Sequence, residues 1–148
     1  MKTLTQAELD NILEQHRLWL VNTGGERAVF SHTDLSNLDL QGAVLCRANF
    51  IRANCRGSNF SGANLSDADM TFANLSHANL TGTMFHDADL RNANLSHAQM
   101  NNVDFTRADL YHTNFRHTRF SDGSFEKPTL AGTIITLRDP NQPRCQTA

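Results

Sequence analysis

Apolar residues occupy every fifth position of this chain without interruption from Phe30 and Leu35 to Phe125 and Leu130, twenty-one slots in all. A second series sits two residues earlier, from Ala28, Thr33, Leu38 and Ala43 to Pro128. It is Ala at twelve of its twenty-one places and mostly small elsewhere. An α-helix turns about 100° per residue, so a five-residue step turns roughly 140° and spreads the series around the whole cylinder. A flat strand fails as well, because its side chains alternate with period two and an odd step sends successive members to opposite faces. Within one repeat, however, the small and the central residue are two apart and share a direction on a short extended segment. The three-residue step to the next small residue restores that direction only if the chain turns a corner. The pattern therefore predicts a winding chain with a turn after each central residue.

A longer period counts the corners. Gly42, Gly62 and Gly82 fall twenty residues apart, and their column continues with Asn102 and Asp122, the residue types that best tolerate a left-handed backbone. His77, His97 and His117 repeat at the same interval, as do Asp69, Asp89 and Asp109. Four repeats per lap predict an all-β, four-sided solenoid whose like positions stack. With ladders about 4.8 Å apart, roughly five laps make a rod on the order of 25 Å tall.

The runs Ala63-Asn64-Leu65, Ala68-Asp69-Met70, Ala73-Asn74-Leu75, Ala78-Asn79-Leu80, Ala88-Asp89-Leu90, Ala93-Asn94-Leu95 and Ala108-Asp109-Leu110 resemble the pentapeptide-repeat family. Its pattern is a small residue, Asp or Asn, Leu or Phe, then two freer positions. The resemblance covers about residues 28–135 and implies a right-handed quadrilateral parallel β-helix with the small and central residues inside. Leu38, Val103, Gly123 and Pro128 in the small slot and Cys55 in a central slot depart from the pattern, and predict local bulging and a looser C-terminal end.

Residues 1–27 read as a cap. Thr5-Gln6-Ala7-Glu8 is a capping-box pattern, and Leu9, Ile12, Leu13, His16, Trp19 and Leu20 trace a helical stripe ending near Gly24-Gly25. One such helix cannot bury its stripe alone, and the open first lap is the expected partner. At the other end, Ile134, Ile135 and Leu137 precede an irregular tail, residues 136–148, containing Pro140 and Pro143. An exposed apolar end there predicts a homodimer.

The 148 residues carry a net charge of −2, which argues against direct nucleic-acid binding. No apolar run approaches a membrane span and the N-terminus is polar, so the expected location is the cytoplasm. Cys46, Cys55 and Cys145 have neither metal-ligand spacing nor a paired framework.

No phosphate loop, nucleophile elbow or Cys–His pairing is present, and neither an enzyme nor a cofactor is expected. The His77, His97 and His117 column, with His112 one corner away, is the nearest approach to a metal site. Ladder-related side chains leave a rod in parallel rather than converging, and no metal is predicted. The Asn54, Asn74, Asn94 and Asn114 column reads as an amide ladder. The candidate partner-binding set is Ile51, Asp69, Phe72, Asp89, Arg91, Asp109 and Tyr111: aromatic and apolar side chains in outward slots beside charges, with Arg52 nearby.

The expected function is thus a non-catalytic protein-interaction module. The resemblance also implies an alternative, since some family members of the Qnr type modulate DNA gyrase or topoisomerase IV by mimicking duplex DNA. Residues 30–137 hold ten acidic and eight basic side chains, and only the Asp69, Asp89, Asp109 side approaches the dense negative stripe that mimicry requires.

Overall fold

The computed structural model describes residues 1–120. Ile134, Ile135 and Leu137, the expected dimer end, lie outside the described residues, as does the tail. Parallel bridges join Val29 to Asn49, Asp34 to Asn54, Asp39 to Asn59 and Val44 to Asn64, and the pattern continues without a slip as far as Asn94 and Asn114. The chain therefore returns to the same place every twenty residues. The four bridged columns define four faces. We call them the Asp face (Val29, Asn49, Asp69, Asp89, Asp109), the Asn face (Asp34, Asn54, Asn74, Asn94, Asn114), the Gln face (Asp39, Asn59, Asn79, Gln99, Arg119) and the Met face (Val44, Asn64, Met84, Asp104).

One repeat shows what holds a side of the coil together. Asn49 donates its peptide N–H to Ala28 C=O in the lap before, at 3.0 Å, while Phe50 and Arg52 donate to Asp69 and Thr71 in the lap after, at 2.7 and 2.9 Å. Ala53 closes a turn onto Phe50 C=O at 2.9 Å. The fifth N–H, on Ile51, is taken by the Asn49 side chain at 2.9 Å. A donor turned in from water needs an acceptor, so the Asp or Asn that precedes most central residues serves the turn; Val29, Val44, Met84 and Gln99 hold the same slot without one. The Asn amide has a second use. Asn74 donates to Asn54 at 3.2 Å and Asn114 to Asn94 at 2.9 Å, forming the expected ladder on the Asn face.

The corner residue two after each central residue has positive φ at every corner from His32 to His117, between 55° and 71°. That is the third position of a type II turn. Glycine is thus needed at no single corner; Arg52, Phe72, His77 and Asp87 adopt the same conformation, at a cost of about 1–2 kcal/mol each that the flanking hydrogen bonds offset.

Inside, Phe30 and Phe50 lie ring to ring at 4.7 Å and Phe85 and Phe105 at 5.3 Å, Phe60 and Phe115 meet Phe50 and Phe105 edge-on at 6.0 Å, and Cys55 fills its slot as a fully buried thiol. Burial pushes the Cys55 thiol far up. At three polar small slots the hydroxyl turns back to the neighbouring lap: Ser58, Thr83 and Thr113 donate to Leu35, Phe60 and Leu90 C=O at 2.7–2.8 Å. The bulging expected at Leu38 and Val103 leaves the hydrogen-bond register untouched. Asn59 still donates to Leu38 C=O at 3.0 Å, and Asp104 to Thr83 C=O at 3.0 Å.

The N-terminal segment closes the first lap by imitating a lap above it. Strand β1 (Lys2–Thr3) runs parallel to β2 (Thr33–Asp34), and Leu4 donates to Asp34 C=O at 3.0 Å while its side chain is buried like a central residue. Helix α1 (Gln6–Leu20) starts at Thr5 with both bonds of the capping box. On the next side the Gln6 amide pairs with both backbone groups of Asp39, at 2.8 and 2.9 Å. Past the helix, Gly25 sits where any Cβ would meet Gln15 C=O at 2.1 Å.

His16 completes the cap. It is fully buried, its Nδ1 accepts the Ala28 N–H at 3.0 Å, and its Nε2 lies 3.1 Å from Cys46 C=O. An accepting Nδ1 requires the neutral Nε2–H tautomer, so the ring donates to Cys46. Burial holds its pKa below the usual 6.5, opposed by the Cys46 carbonyl and reinforced by Arg27 and Arg47. Because the folded state disfavours the charged ring, this contribution to stability is complete above that value and is lost as pH falls below it. Trp19 stacks on His16 with ring centroids 5.4 Å apart, and Arg47 lies over Trp19 at 5.2 Å.

Replacing Asn74 by Ala removes the acceptor for the Ser76 N–H together with two rungs of the ladder, to Asn54 and from Asn94. It is expected to cost about 1–3 kcal/mol in urea unfolding, and an unchanged midpoint would contradict the requirement for an acceptor. A nitrogen-resolved NMR titration should find His16 as the Nε2–H tautomer and still neutral at its ordinary midpoint of 6.5. Half-protonation there would contradict the buried cap.

Candidate functional site

The partner-binding residues anticipated from the chain fall on one edge. Asn49, Asp69, Asp89 and Asp109 are bridged in succession down the Asp face. The corner that follows it carries Ile51 and Arg52, Thr71 and Phe72, Arg91 and Asn92, then Tyr111 and His112, one lap below another. Phe72 and Tyr111 are 52% and 47% exposed, and Ile51 is half-buried. An exposed phenyl ring in a left-handed corner cannot fold back into the core, because the peptide N–H of Phe72 is bonded to Arg91 C=O at 3.0 Å.

The carboxylates of this strip first serve the backbone. Asp69, Asp89 and Asp109 accept the N–H of Thr71, Arg91 and Tyr111 at 3.0–3.1 Å. Their mutual repulsion is met by Arg91, whose guanidinium lies 2.6 Å from Asp89 and 3.6 Å from Asp109. Partial burial alone would raise the Asp89 pKa; the Arg91 side chain and amide outweigh it and hold the carboxyl below its usual value. Asp89 therefore stays charged and cannot act as a general acid near neutrality. Arg52, which the sequence places only nearby, covers the Phe72 ring at 5.0 Å. The strip is a mixed surface of rings and compensated charges.

On the next corner round, across the Asn face, His77, His97 and His117 stack with ring centroids 4.8 Å apart and interplanar angles of 2° and 20°. A bound zinc lies about 2.0–2.1 Å from each imidazole nitrogen. Parallel rings at this spacing aim their nitrogens side by side rather than at one point. His112 lies on the aromatic corner against Tyr111, at 4.0 Å, and does not join the column. Among the described residues no group of His, Cys, Asp and Glu is arranged to hold a metal ion. Also among them, no helix is long and apolar enough to cross a membrane.

Comparison with known proteins agrees with this geometry. The family model for pentapeptide repeats matches residues 26–54, 48–86 and 85–122, in eight copies. A pentapeptide repeat protein from the thylakoid lumen of Arabidopsis thaliana is 30% identical, with a TM-score of 0.62, over 64% of this chain and 66% of that one. Rfr23, a pentapeptide repeat protein from the cyanobacterium Cyanothece 51142, is 25% identical, with a TM-score of 0.53, over 71% of this chain and 62% of its own. The chain thus spans just under two thirds of each of these proteins. QnrB1, a plasmid-mediated fluoroquinolone resistance protein, aligns at 18% identity and a TM-score of 0.39, over 76% of this chain and 68% of its own. No curated protein matches.

Substituting Arg91 by Ala should raise the Asp89 pKa towards the ordinary carboxylate value, read by carboxyl NMR titration. Stability should change by less than about 1 kcal/mol, since the pair is half exposed. An unmoved Asp89 would contradict the role given to the guanidinium.

Proposed function

The chain belongs to the pentapeptide-repeat family, and we propose that it is a non-catalytic protein-interaction module: a rigid scaffold built on a right-handed quadrilateral β-helix, docking a protein partner on its aromatic strip. The observation that carries this reading is the collection of Ile51, Phe72 and Tyr111 beside Asp69, Asp89, Arg91 and Asp109 on one edge, spread over four laps. Exposed rings anchored on a backbone bonded to the next lap bind with little loss of conformational freedom, and the charges around them orient the partner. The strip is convex and its carboxylates are committed to backbone and Arg91, so it supports recognition rather than chemistry.

Duplex mimicry by the Asp stripe is the weaker reading. Arg91 lies across Asp89 and Asp109, and Arg52 covers Phe72, so the edge lacks the unbroken negative potential that would enter a basic DNA groove.

Affinity capture from source-cell extract with the wild-type chain and with Phe72→Ala/Tyr111→Ala is expected to recover a partner with the former only. Equal recovery would refute the strip as the docking surface. Micromolar protein should leave gyrase supercoiling unchanged, with or without a fluoroquinolone, and inhibition or protection would favour mimicry.

A further inference from the structure

Charge is divided unevenly around this coil. From Asn49 onward the six carboxylates among the described residues, Asp67, Asp69, Asp87, Asp89, Asp104 and Asp109, all lie on the Asp face, the Met face or the corner between them. The ion pairs described on the coil sit at or beside the same half: Arg91 with Asp89 and Asp109, Arg107 with Asp87, and His86 with Asp104. The other half consists of the Asn face, the histidine corner and the Gln face. Its only described carboxylates, Asp34 and Asp39, are in the first lap, and both are engaged by the amides of Asn54 and Asn59. Below them stand Arg56, His77, His97, Arg116, His117 and Arg119 among neutral amides. Among the described residues the glycine corner that bounds the Gln face on its far side adds no charge, its outward residues being Gln41, Ser61, Thr81 and Asn101.

Beside the histidine corner the Gln face forms an open groove of about 850 Å³, walled by His77, His97 and His117 and closed off by Gln99, Asn101 and Arg119. The three rings cannot withdraw. Each is at a corner with φ between 58° and 61°, and the His77 and His97 amides are tied to Ser96 and Arg116 C=O at 3.0 and 2.9 Å. Protonated together they would form a row of like charges 4.8 Å apart with no described carboxylate opposite. Loss of hydration, then His117 and His77, accordingly hold the His97 pKa down.

We propose that this groove docks an acidic segment of a protein partner, its Asp and Glu carboxylates lying along the histidine column and Arg119, and that docking tightens as the column takes up protons. The amides of Gln99 and Asn101 suit the peptide groups of such a segment. A nucleic acid fits less well: the large exposed rings Phe72 and Tyr111 are on another corner, the imidazoles are stacked on one another rather than open to bases, and the acid-rich half would repel a wrapping polyanion. This surface is separate from the aromatic strip and stands independently of it.

The test is fluorescence anisotropy of the full chain with a labelled oligoglutamate peptide at low salt. Binding is expected to be about tenfold tighter near pH 5.5 than near pH 7.5 and to weaken with added salt. His77→Asn/His97→Asn/His117→Asn, which keeps a residue tolerant of the left-handed corner, should abolish the pH dependence while circular dichroism stays unchanged. Arg119→Gln should weaken binding at both pH values. Phe72→Ala should leave it intact, so failure here is distinguishable from failure of the aromatic strip. Equal affinity at the two pH values, or wild-type behaviour of the triple variant, would overturn the proposal. A single-stranded oligonucleotide binding more tightly than the peptide would overturn its protein assignment.

Discussion

Everything in this molecule follows from where five peptide N–H groups go in each repeat. Three reach the laps before and after, one closes the turn, and in the repeats that carry Asp or Asn ahead of the central residue one is taken by that side chain. A buried donor without an acceptor costs about 1–3 kcal/mol, and each repeat presents the same demand again. The requirement sets the register at twenty, keeps Asp or Asn ahead of the central residue in most repeats, and forces the left-handed corner. The apolar interior supplies the driving force, but leucines and phenylalanines alone would allow a slipped lap; the hydrogen-bond pattern does not.

That constraint separates structural positions from free ones. Small and central residues face inward, and the Asx residue is half committed to the backbone. The two corner residues after each central residue carry the chain's individuality: Phe72 and Tyr111 on one edge, His77, His97 and His117 on the next, across the Asn face. Identical laps turn sequence differences into columns, so any property repeated at twenty becomes a stripe running along the rod. The result is a scaffold with an aromatic, charge-compensated edge and a cationic, carboxylate-poor half. Its ends need separate solutions, and the N-terminal one is assembled from mimics of a missing lap: β1 and Leu4 on one side, the Gln6 amide on the next, and the His16 ring on a third.

Much of this was legible in the chain, because a fixed period leaves few geometries open. The four-sided winding, the helical cap, the amide ladder and the grouping of Ile51, Phe72 and Tyr111 all follow from spacing. The second role of the Asn and Asp side chains was not legible, since a ladder and a turn acceptor require the same residue types at the same positions. Nor was the left-handed conformation of every corner. Phe72 and Arg52 do not advertise positive φ as Gly42, Gly62 and Gly82 do, and only the turn bond and the paired lap impose it.

The chain by itself determined the repeat, the lap length and the sorting of residues into inside and outside, because apolar burial at a strict five-residue period demands a corner in every repeat and the twenty-residue spacing of Gly, His and Asp counts the corners in a lap. Tertiary structure alone decided how the charges pair across laps and what the cap contacts. Arg91 is two residues from Asp89 and eighteen from Asp109, and its bridge between them exists only once the laps are stacked. His16 becomes a neutral, buried ring bonded to Ala28 and Cys46 only when the helix settles on the first lap. Interactions between distant positions depend on approach distances of a few ångströms, which no local pattern specifies.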